Sequence, residues 1–232
     1  MKNSFKYLFT AIFAFAIFGA FIYVKAQGQE TYVRALYGKM ETNQKTLKSL
    51  RANVIVSKYN SQLRSMDEPQ KGTLIFVPTS NRKANFKIDW VAPQQETLAV
   101  NNGKYVLKRS SGDYVEGNAD SAAKKNNSGA LEFVYMSTAE LRQKYSAEWK
   151  GGELIAGNSI SAFHLVLTPK TPSSYKQADI WVDESGMPVQ FKASDRNGDE
   201  TTILLTGIQK NDKINPKDLK IEIPKGAKRI KG

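Results

Sequence analysis

The stretch Ala84 to Lys108, ANFKIDWVAPQQETLAVNNGKYVLK, decides the fold class. Ala84–Val91, Glu96–Val100 and Lys104–Lys108 have the composition of short strands. Ala92-Pro93 and Asn101-Asn102-Gly103 separate them with residues that favour turns. Within the first run Phe86, Ile88 and Trp90 share one face, because side chains alternate along a strand. A parallel pair needs a crossover of a dozen or more residues, and none fits between these runs, so the spacing predicts an antiparallel meander.

The same pattern extends outward. Upstream, Leu74–Val77 precedes the break Pro78-Thr79-Ser80-Asn81, and Ala52, Val54 and Val56 alternate with Asn53, Ile55 and Ser57. Downstream, Ala162–Leu167, Ala178–Asp183, Met187–Ala193, Thr201–Ile208 and Leu219–Ile223 continue the series. Glu184-Ser185-Gly186 and Arg196-Asn197-Gly198 mark hairpins, and the Asn-Gly pair of the second predicts a type I′ turn.

Helical patterns flank and interrupt these strands. From Glu30 to about Leu50, Val33, Leu36, Tyr37, Met40, Leu47 and Leu50 recur at spacings that give a helix one apolar face. Ser111–Gly129 is polar and rich in Gly, Ser, Asn and Lys, which predicts a mobile loop. Ser137-Thr138-Ala139-Glu140 then has the capping-box pattern and is followed by Leu141, Tyr145 and Trp149. This predicts a helix of two or three turns laid across one face of the sheet, with Phe133, Val134, Tyr135 and Met136 just before it.

At the N-terminus, Lys2 and Lys6 precede the apolar run Leu8–Val24, and Val24-Lys25-Ala26 places small or modest residues where a signal peptidase reads. The expected organisation is a signal peptide over residues 1–26 and one domain over residues 27–232, located in the periplasm. An uncleaved anchor is the alternative, since Leu8–Val24 at ~1.5 Å per residue falls near the short end of a membrane span. The chain has no cysteine, which excludes a lipid-modified cysteine, a disulfide and thiolate chemistry.

Cleavage would remove Lys2, Lys6 and Lys25 and leave a formal charge three below the +12 of the full chain, still basic. Basic residues gather near the start of the mature chain (Lys39, Lys45, Lys48, Arg51) and near its end (Lys225, Lys228, Arg229, Lys231). Such a surface suits anionic lipid headgroups or an acidic protein, and the compartment argues against nucleic acid.

Catalytic signals are sparse. The only histidine, His164, lies in the strand-like run Phe163-His164-Leu165-Val166-Leu167 and reads as a satisfied strand residue rather than a base or metal ligand. Asp195-Arg196-Asn197-Gly198-Asp199-Glu200 lacks the spacing and distal glutamate of a calcium loop and reads as a hairpin. No Gly-rich phosphate loop, nucleophile elbow or paired-acid motif is present. The expectation is a binding protein that is not an enzyme and needs no cofactor or metal.

Gly72, Arg82, Phe86, Pro93, Leu98–Val100 and Gly103 follow an order that resembles the outer-membrane lipoprotein carrier (LolA) family. The resemblance resumes at Val166-Leu167-Thr168-Pro169-Lys170, at Trp181-Val182-Asp183 with Gly186 and Gln190-Phe191, and at Ile223-Pro224-Lys225-Gly226. It implies a mainly β fold with α: an incomplete, curved antiparallel β-barrel covered by helices and enclosing an apolar cavity for acyl chains. Strand periodicity alone fits a barrel with a filled core equally well.

The resemblance also implies roles. Phe86 and Ile88 match cavity-lining positions and Trp90 continues their parity, while Phe133, Met136 and Leu141 near the inserted helix complete the candidate lipid site. Arg82 matches a family arginine that bonds the helical lid and keeps the empty carrier closed. The chain departs from the family pattern around Pro78–Asn81 and over Ser111–Gly129. The implied function is a monomeric periplasmic carrier that ferries acylated lipoproteins from an inner-membrane releasing transporter to an outer-membrane acceptor. The alternatives are a lipid- or lipoprotein-binding sensor of the envelope-stress type, a carrier of another lipid, or a hydrolase acting on envelope material. If the leader is cleaved, N-terminal sequencing of the secreted protein will begin at Gln27 and detergent will be unnecessary for its recovery. Intact Met1 in a membrane fraction would support the anchor instead.

Overall fold

Helix α1 occupies residues 28–46 of the computed structural model, which describes residues 28–79, 84–119, 136–173 and 175–230. The candidate leader lies outside the described residues. α1 buries Leu36, Tyr37 and Met40, with Val33 packed partly beside them. It ends four residues before the expected Leu50. The reason is a competing set of long-range bonds: Lys48 N–H donates to Asn211 Oδ1 (2.7 Å), Ser49 Oγ to the Asp212 carbonyl (2.6 Å), and Asn211 N–H to the Ser49 carbonyl (2.9 Å). The backbone at 48–49 is thereby held out of the helix, and Leu50 begins the first strand.

That strand, β1 (Leu50–Asn60), sits at the centre of one 13-stranded sheet. On one side it pairs with β3 (Gln70–Pro78), followed by β4 (Ala84–Ala92), β5 (Glu96–Asn101), β6 (Lys104–Lys108) and β7 (Tyr114–Asn118). On the other it pairs with β12 (Glu200–Lys210), followed by β11 (Pro188–Asp195), β10 (Tyr175–Val182), β9 (Ile160–Pro169) and β8 (Tyr145–Ile155). The short β2 (Ser65–Met66) folds back on β1, and β13 (Arg229–Ile230) adds to β7 in parallel. The path runs from β13 to β8 without the two ends pairing, so the sheet is curved and unclosed. The chain leaves β7 at one edge and re-enters at β8 on the other, and α2 (Thr138–Lys144) lies in that crossing.

The register fixes one continuous apolar face. Leu165 pairs with Ile180, Ile180 with Phe191, Phe191 with Ile203, and Ile203 with Val56. Beyond β1, Leu50 pairs with Phe76 and Ala52 with Leu74; these pair with Phe86 and Ile88, and then with Val100 and Leu98. α1 and α2 pack on the β8–β11 half of this concave face, where Leu36, Tyr37, Met40 and Leu141 meet Leu165, Leu167, Ile180 and Phe191. Gly72 leaves room for a crossing: a Cβ there would strike the Asp89 carbonyl and the Trp90 ring.

Several local expectations are corrected. Leu219–Ile223 is not a strand: Pro216–Leu219 forms a 3-10 turn capped by Asn215, and Asn101 Nδ2 donates to the Leu219 carbonyl (2.6 Å). A proline without an N–H and a carbonyl bound by a side chain remove the ladder bonds a strand needs. Tyr114–Asn118, inside the segment read as a loop, forms β7 because its alternating Tyr114 and Glu116 pair across β6. The Ser137 capping box is present, but α2 has only seven residues, and Tyr145 and Trp149 belong to β8, where the backbone turns extended at Tyr145. At the 195–199 hairpin only Gly198 has positive φ (+92°), giving a type I turn plus a left-handed glycine instead of type I′. Asn102-Gly103, by contrast, has positive φ at both central residues of its turn.

Gly186 closes the matching hairpin between β10 and β11, with φ of +84° and its Cα against the Lys39 carbonyl of α1. Any side chain there meets both a left-handed backbone penalty of ~1–2 kcal/mol and a backbone clash. Gly186→Ala should therefore lower unfolding stability by more than about 2 kcal/mol, read as a shift of the urea midpoint. The same change at Gly157, where a Cβ meets open space, should cost only the backbone term.

Candidate functional site

Two apolar regions share the concave face, and the residues predicted as lipid-binding divide between them. Met136 and Leu141 belong to the cluster under α1 and α2, where Leu141 is fully buried. Phe86, Ile88 and Trp90 belong to the second cluster, with Leu50, Val54, Leu74 and Phe76. Ile88 is fully buried, whereas Phe86 and Trp90 are only half-buried. Phe133 and Arg82 lie outside the described residues.

The second cluster continues along the sheet as an apolar wall. Phe86 pairs with Val100 and Val100 with Tyr105; Ile88 pairs with Leu98 and Leu98 with Leu107. Phe86, Trp90, Leu98, Val100, Tyr105 and Leu107 are all half-buried. The cover supplied by α1 and α2 belongs to the other half. Large apolar side chains gain about 1.5–3 kcal/mol on full burial, so a wall left half-covered retains part of that free energy for an apolar ligand.

α1 is fastened to the sheet by several kinds of contact. Tyr32 stacks on Trp149 (5.3 Å), Trp149 meets Phe163 (5.4 Å), and Lys39 Nζ stands 5.2 Å from the Phe163 ring centroid. At its C-terminal end Asn43 receives a bond from Lys210 Nζ (3.2 Å), which also donates to Ser185 Oγ (2.8 Å). α2 is held by the buried Leu141 and by its capping box, in which Glu140 N–H donates to Ser137 Oγ (3.2 Å) and Ser137 N–H to Glu140 Oε2 (2.9 Å).

Between the two helices lies a cavity of about 420 Å³ lined by Gln29, Glu30, Val33, Arg34, Tyr37, Arg142, Tyr145, Ser146, Ala147 and Lys170. Sequence reasoning read Val33, Tyr37 and Tyr145 only as apolar positions of helices and found none of the lining residues as site residues. They come from three distant segments, and no local spacing links them. Tyr37 is buried, its hydroxyl has no hydrogen-bond partner, and the Arg142 guanidinium stands 5.2 Å from its ring centroid. Burial pushes the phenol up to about 12, against the opposing pull of Arg142.

His164 alternates with Leu165 on β9 and pairs with Trp181. Its ring stacks on Trp181 (4.3 Å), with Nε2 2.8 Å from Asp179 Oδ1 and Nδ1 3.1 Å from Glu153 Oε1, while the Trp181 indole N–H donates to Glu153. Both ring nitrogens are thus engaged within a strand-face network. Among the described residues no group of three or more His, Asp or Glu is arranged to hold a metal ion. The Asp195–Glu200 segment is a hairpin: Asp199 accepts from Ser61 N–H (2.8 Å) and Asn197 Nδ2 (2.8 Å), and these bonds lower its pKa below the usual carboxylate value. Among the described residues no helix is long and apolar enough to cross a membrane.

Because the Tyr37 phenol is raised in the folded state, its neutral form supports the fold fully below pH ~10, and this contribution is lost as pH rises from the unfolded value of 10 through about 12. Ultraviolet titration should show one tyrosine ionising last, and Tyr37→Phe should abolish that late step while raising stability at pH 11 relative to wild type.

The comparisons with known proteins agree with this geometry. Comparison with curated proteins finds no match. Among solved structures, MucB aligns with a TM-score of 0.57 at 12% identity, over 83% of this chain and 63% of MucB. The MucA/MucB complex of Pseudomonas aeruginosa gives 0.52 at 11% identity, over 82% and 61%. The chain therefore spans about three fifths of the length of the MucB structures it matches. At these identities the likeness is one of fold, an open curved sheet with helical cover. Residues 65–222 match the family model described as outer membrane lipoprotein carrier protein LolA, which is more than half of the sequence, and the chain belongs to that family.

Proposed function

We propose that this protein is a periplasmic carrier that binds the acyl chains of lipoproteins against the β4–β6 wall and ferries them from the inner to the outer membrane. The observation that carries the reading is the half-buried row Phe86, Trp90, Leu98, Val100, Tyr105 and Leu107 on the concave face, beside a half already filled by α1 and α2. An acyl chain exposed to water costs about 0.8 kcal/mol per methylene, so such a chain needs an apolar wall for transit. On this reading the cargo is an acylated lipoprotein, received from an inner-membrane releasing complex and passed to an outer-membrane acceptor, and binding occurs without turnover. The protein is secreted through its cleaved leader and acts as a single domain over residues 27–232.

The movable element in this reading is α2, on the half next to the wall, with seven residues and one fully buried apolar anchor, and not the firmly bonded α1; its displacement would extend the wall onto that half. Arg82 keeps the gating role that the family resemblance implies. A second reading, a lipid- or lipoprotein-binding sensor, draws on the likeness to MucB, which has been solved with MucA. It requires stable capture of a protein partner that lacks acyl chains, whereas the carrier requires the chains.

Phe86→Glu tests the wall directly. A carboxylate placed where an alkyl chain lies should weaken binding of a fluorescent fatty acid or acylated peptide by more than about tenfold. The melting temperature should fall by no more than about 4 °C, the shift of ~1 kcal/mol for a domain this size. Ile88→Glu, at a fully buried position, should unfold the protein. A folded Phe86→Glu protein that binds normally contradicts the site. In the same assay Arg82→Leu should speed ligand release and raise amide exchange in Thr138–Lys144; unchanged exchange there removes Arg82 from gating.

A further inference from the structure

The cavity between α1 and α2 has a chemistry different from the apolar wall. Arg34, Arg142 and Lys170 face a single carboxylate, Glu30, so the lining is net cationic. Its volume of about 420 Å³ falls in the ~300–1,000 Å³ range of small-molecule sites and exceeds what a bare inorganic ion needs. Two guanidinium groups offer planar forks that match phosphate oxygens, and a lysine adds a point charge. Lys170 Nζ already donates to the Arg142 carbonyl (2.6 Å), which fixes it beside the guanidinium-bearing turn of α2.

The remaining lining suits a polar body attached to the anion. Gln29 and Ser146 carry hydrogen-bonding groups, and Val33 and Ala147 give an apolar flank. Tyr37 closes the inner side of the cavity. It is 3% exposed, lines this cavity, and its buried hydroxyl has no hydrogen-bond partner. Its ring lies 5.2 Å from the Arg142 guanidinium and forms the floor of the cavity, while the hydroxyl itself is turned away from the accessible surface.

We propose that the cavity lined by Arg34, Arg142 and Lys170 binds a phosphorylated polyol headgroup of the glycerophosphate type. The phosphate oxygens lie between the two guanidinium groups and the lysine, and the hydroxyls of the polyol meet Gln29 and Ser146. The site is separate from the β4–β6 wall and does not depend on acyl binding there. It is built half from α1 and half from the turn of α2 and the start of β8, so occupation ties the movable helix to the fixed one.

Isothermal titration of the mature protein with sn-glycerol 3-phosphate, inorganic phosphate and dihexanoylphosphatidylglycerol tests the proposal. Saturable binding of glycerol 3-phosphate is expected, weakened about tenfold or more by Arg142→Gln and by Lys170→Gln, as loss of a charged hydrogen bond implies. Lys48→Gln, a basic residue outside the cavity, should leave binding unchanged. Tighter binding of the short-chain lipid than of glycerol 3-phosphate assigns the headgroup to a lipid; equal binding of both assigns it to a soluble ester. Preference for inorganic phosphate over both esters, no saturable binding of any probe, or equal weakening by Lys48→Gln overturns the proposal. Retained binding of the short-chain lipid by Phe86→Glu would show this site to be independent of the acyl wall.

Discussion

The structure depends on the position of β1. As it pairs with β3 on one side and β12 on the other, two antiparallel meanders become one sheet with one concave face. Twist carries the ends of that sheet round, but β13 and β8 do not pair, so the concave face is neither flat nor sealed. An apolar face of this length must be covered or filled. α1 and α2 cover the β8–β11 half with a close-packed cluster, and the half built from β4 to β6 keeps its apolar side chains half-buried.

This asymmetry separates rigid from movable parts. α1 is joined to β8 and β9 through stacked rings and to the ends of β10, β11 and β12 through Asn43, Lys210, Ser185 and the close approach at Gly186. Moving it would open a filled core. α2 is short, capped by its own Ser137 and Glu140, and joined to the rest chiefly through Leu141. The cover of the β8–β11 half can therefore change at α2 while the sheet and α1 stay intact. Strands β8 to β10 gain rigidity from His164, clamped between Asp179, Glu153 and the Trp181 ring.

Much of this was legible in the sequence. The alternation of Phe86, Ile88 and Trp90, the breaks at Pro93 and Gly103, and the capping box at Ser137 each act within a few residues and survive in the fold. What was misread depended on distant partners. The end of α1 is set by Asn211 and Asp212, and the 3-10 turn at Leu219 by Asn101. β8 was missed because Gly151 and Gly152 weaken its strand pattern, and only pairing with β9 secures it. The cavity lined by Arg34, Arg142 and Lys170 has no local signature, since folding alone brings its segments together. Likewise, parity places Phe86 and Ile88 on one face but cannot tell that Ile88 is sealed and Phe86 is not.

The central claim is that the uncovered half of the concave face receives acyl chains, and photo-crosslinking with a diazirine-bearing palmitoyl peptide followed by residue-level mass spectrometry tests it most directly. The account predicts labels on alternate residues of β4 to β6, at Phe86, Trp90, Leu98, Val100, Tyr105 and Leu107, whose side chains share that face. Labels confined to the intervening residues Lys87, Asp89, Thr97 and Val106, or to the surface outside β4–β6, would contradict it.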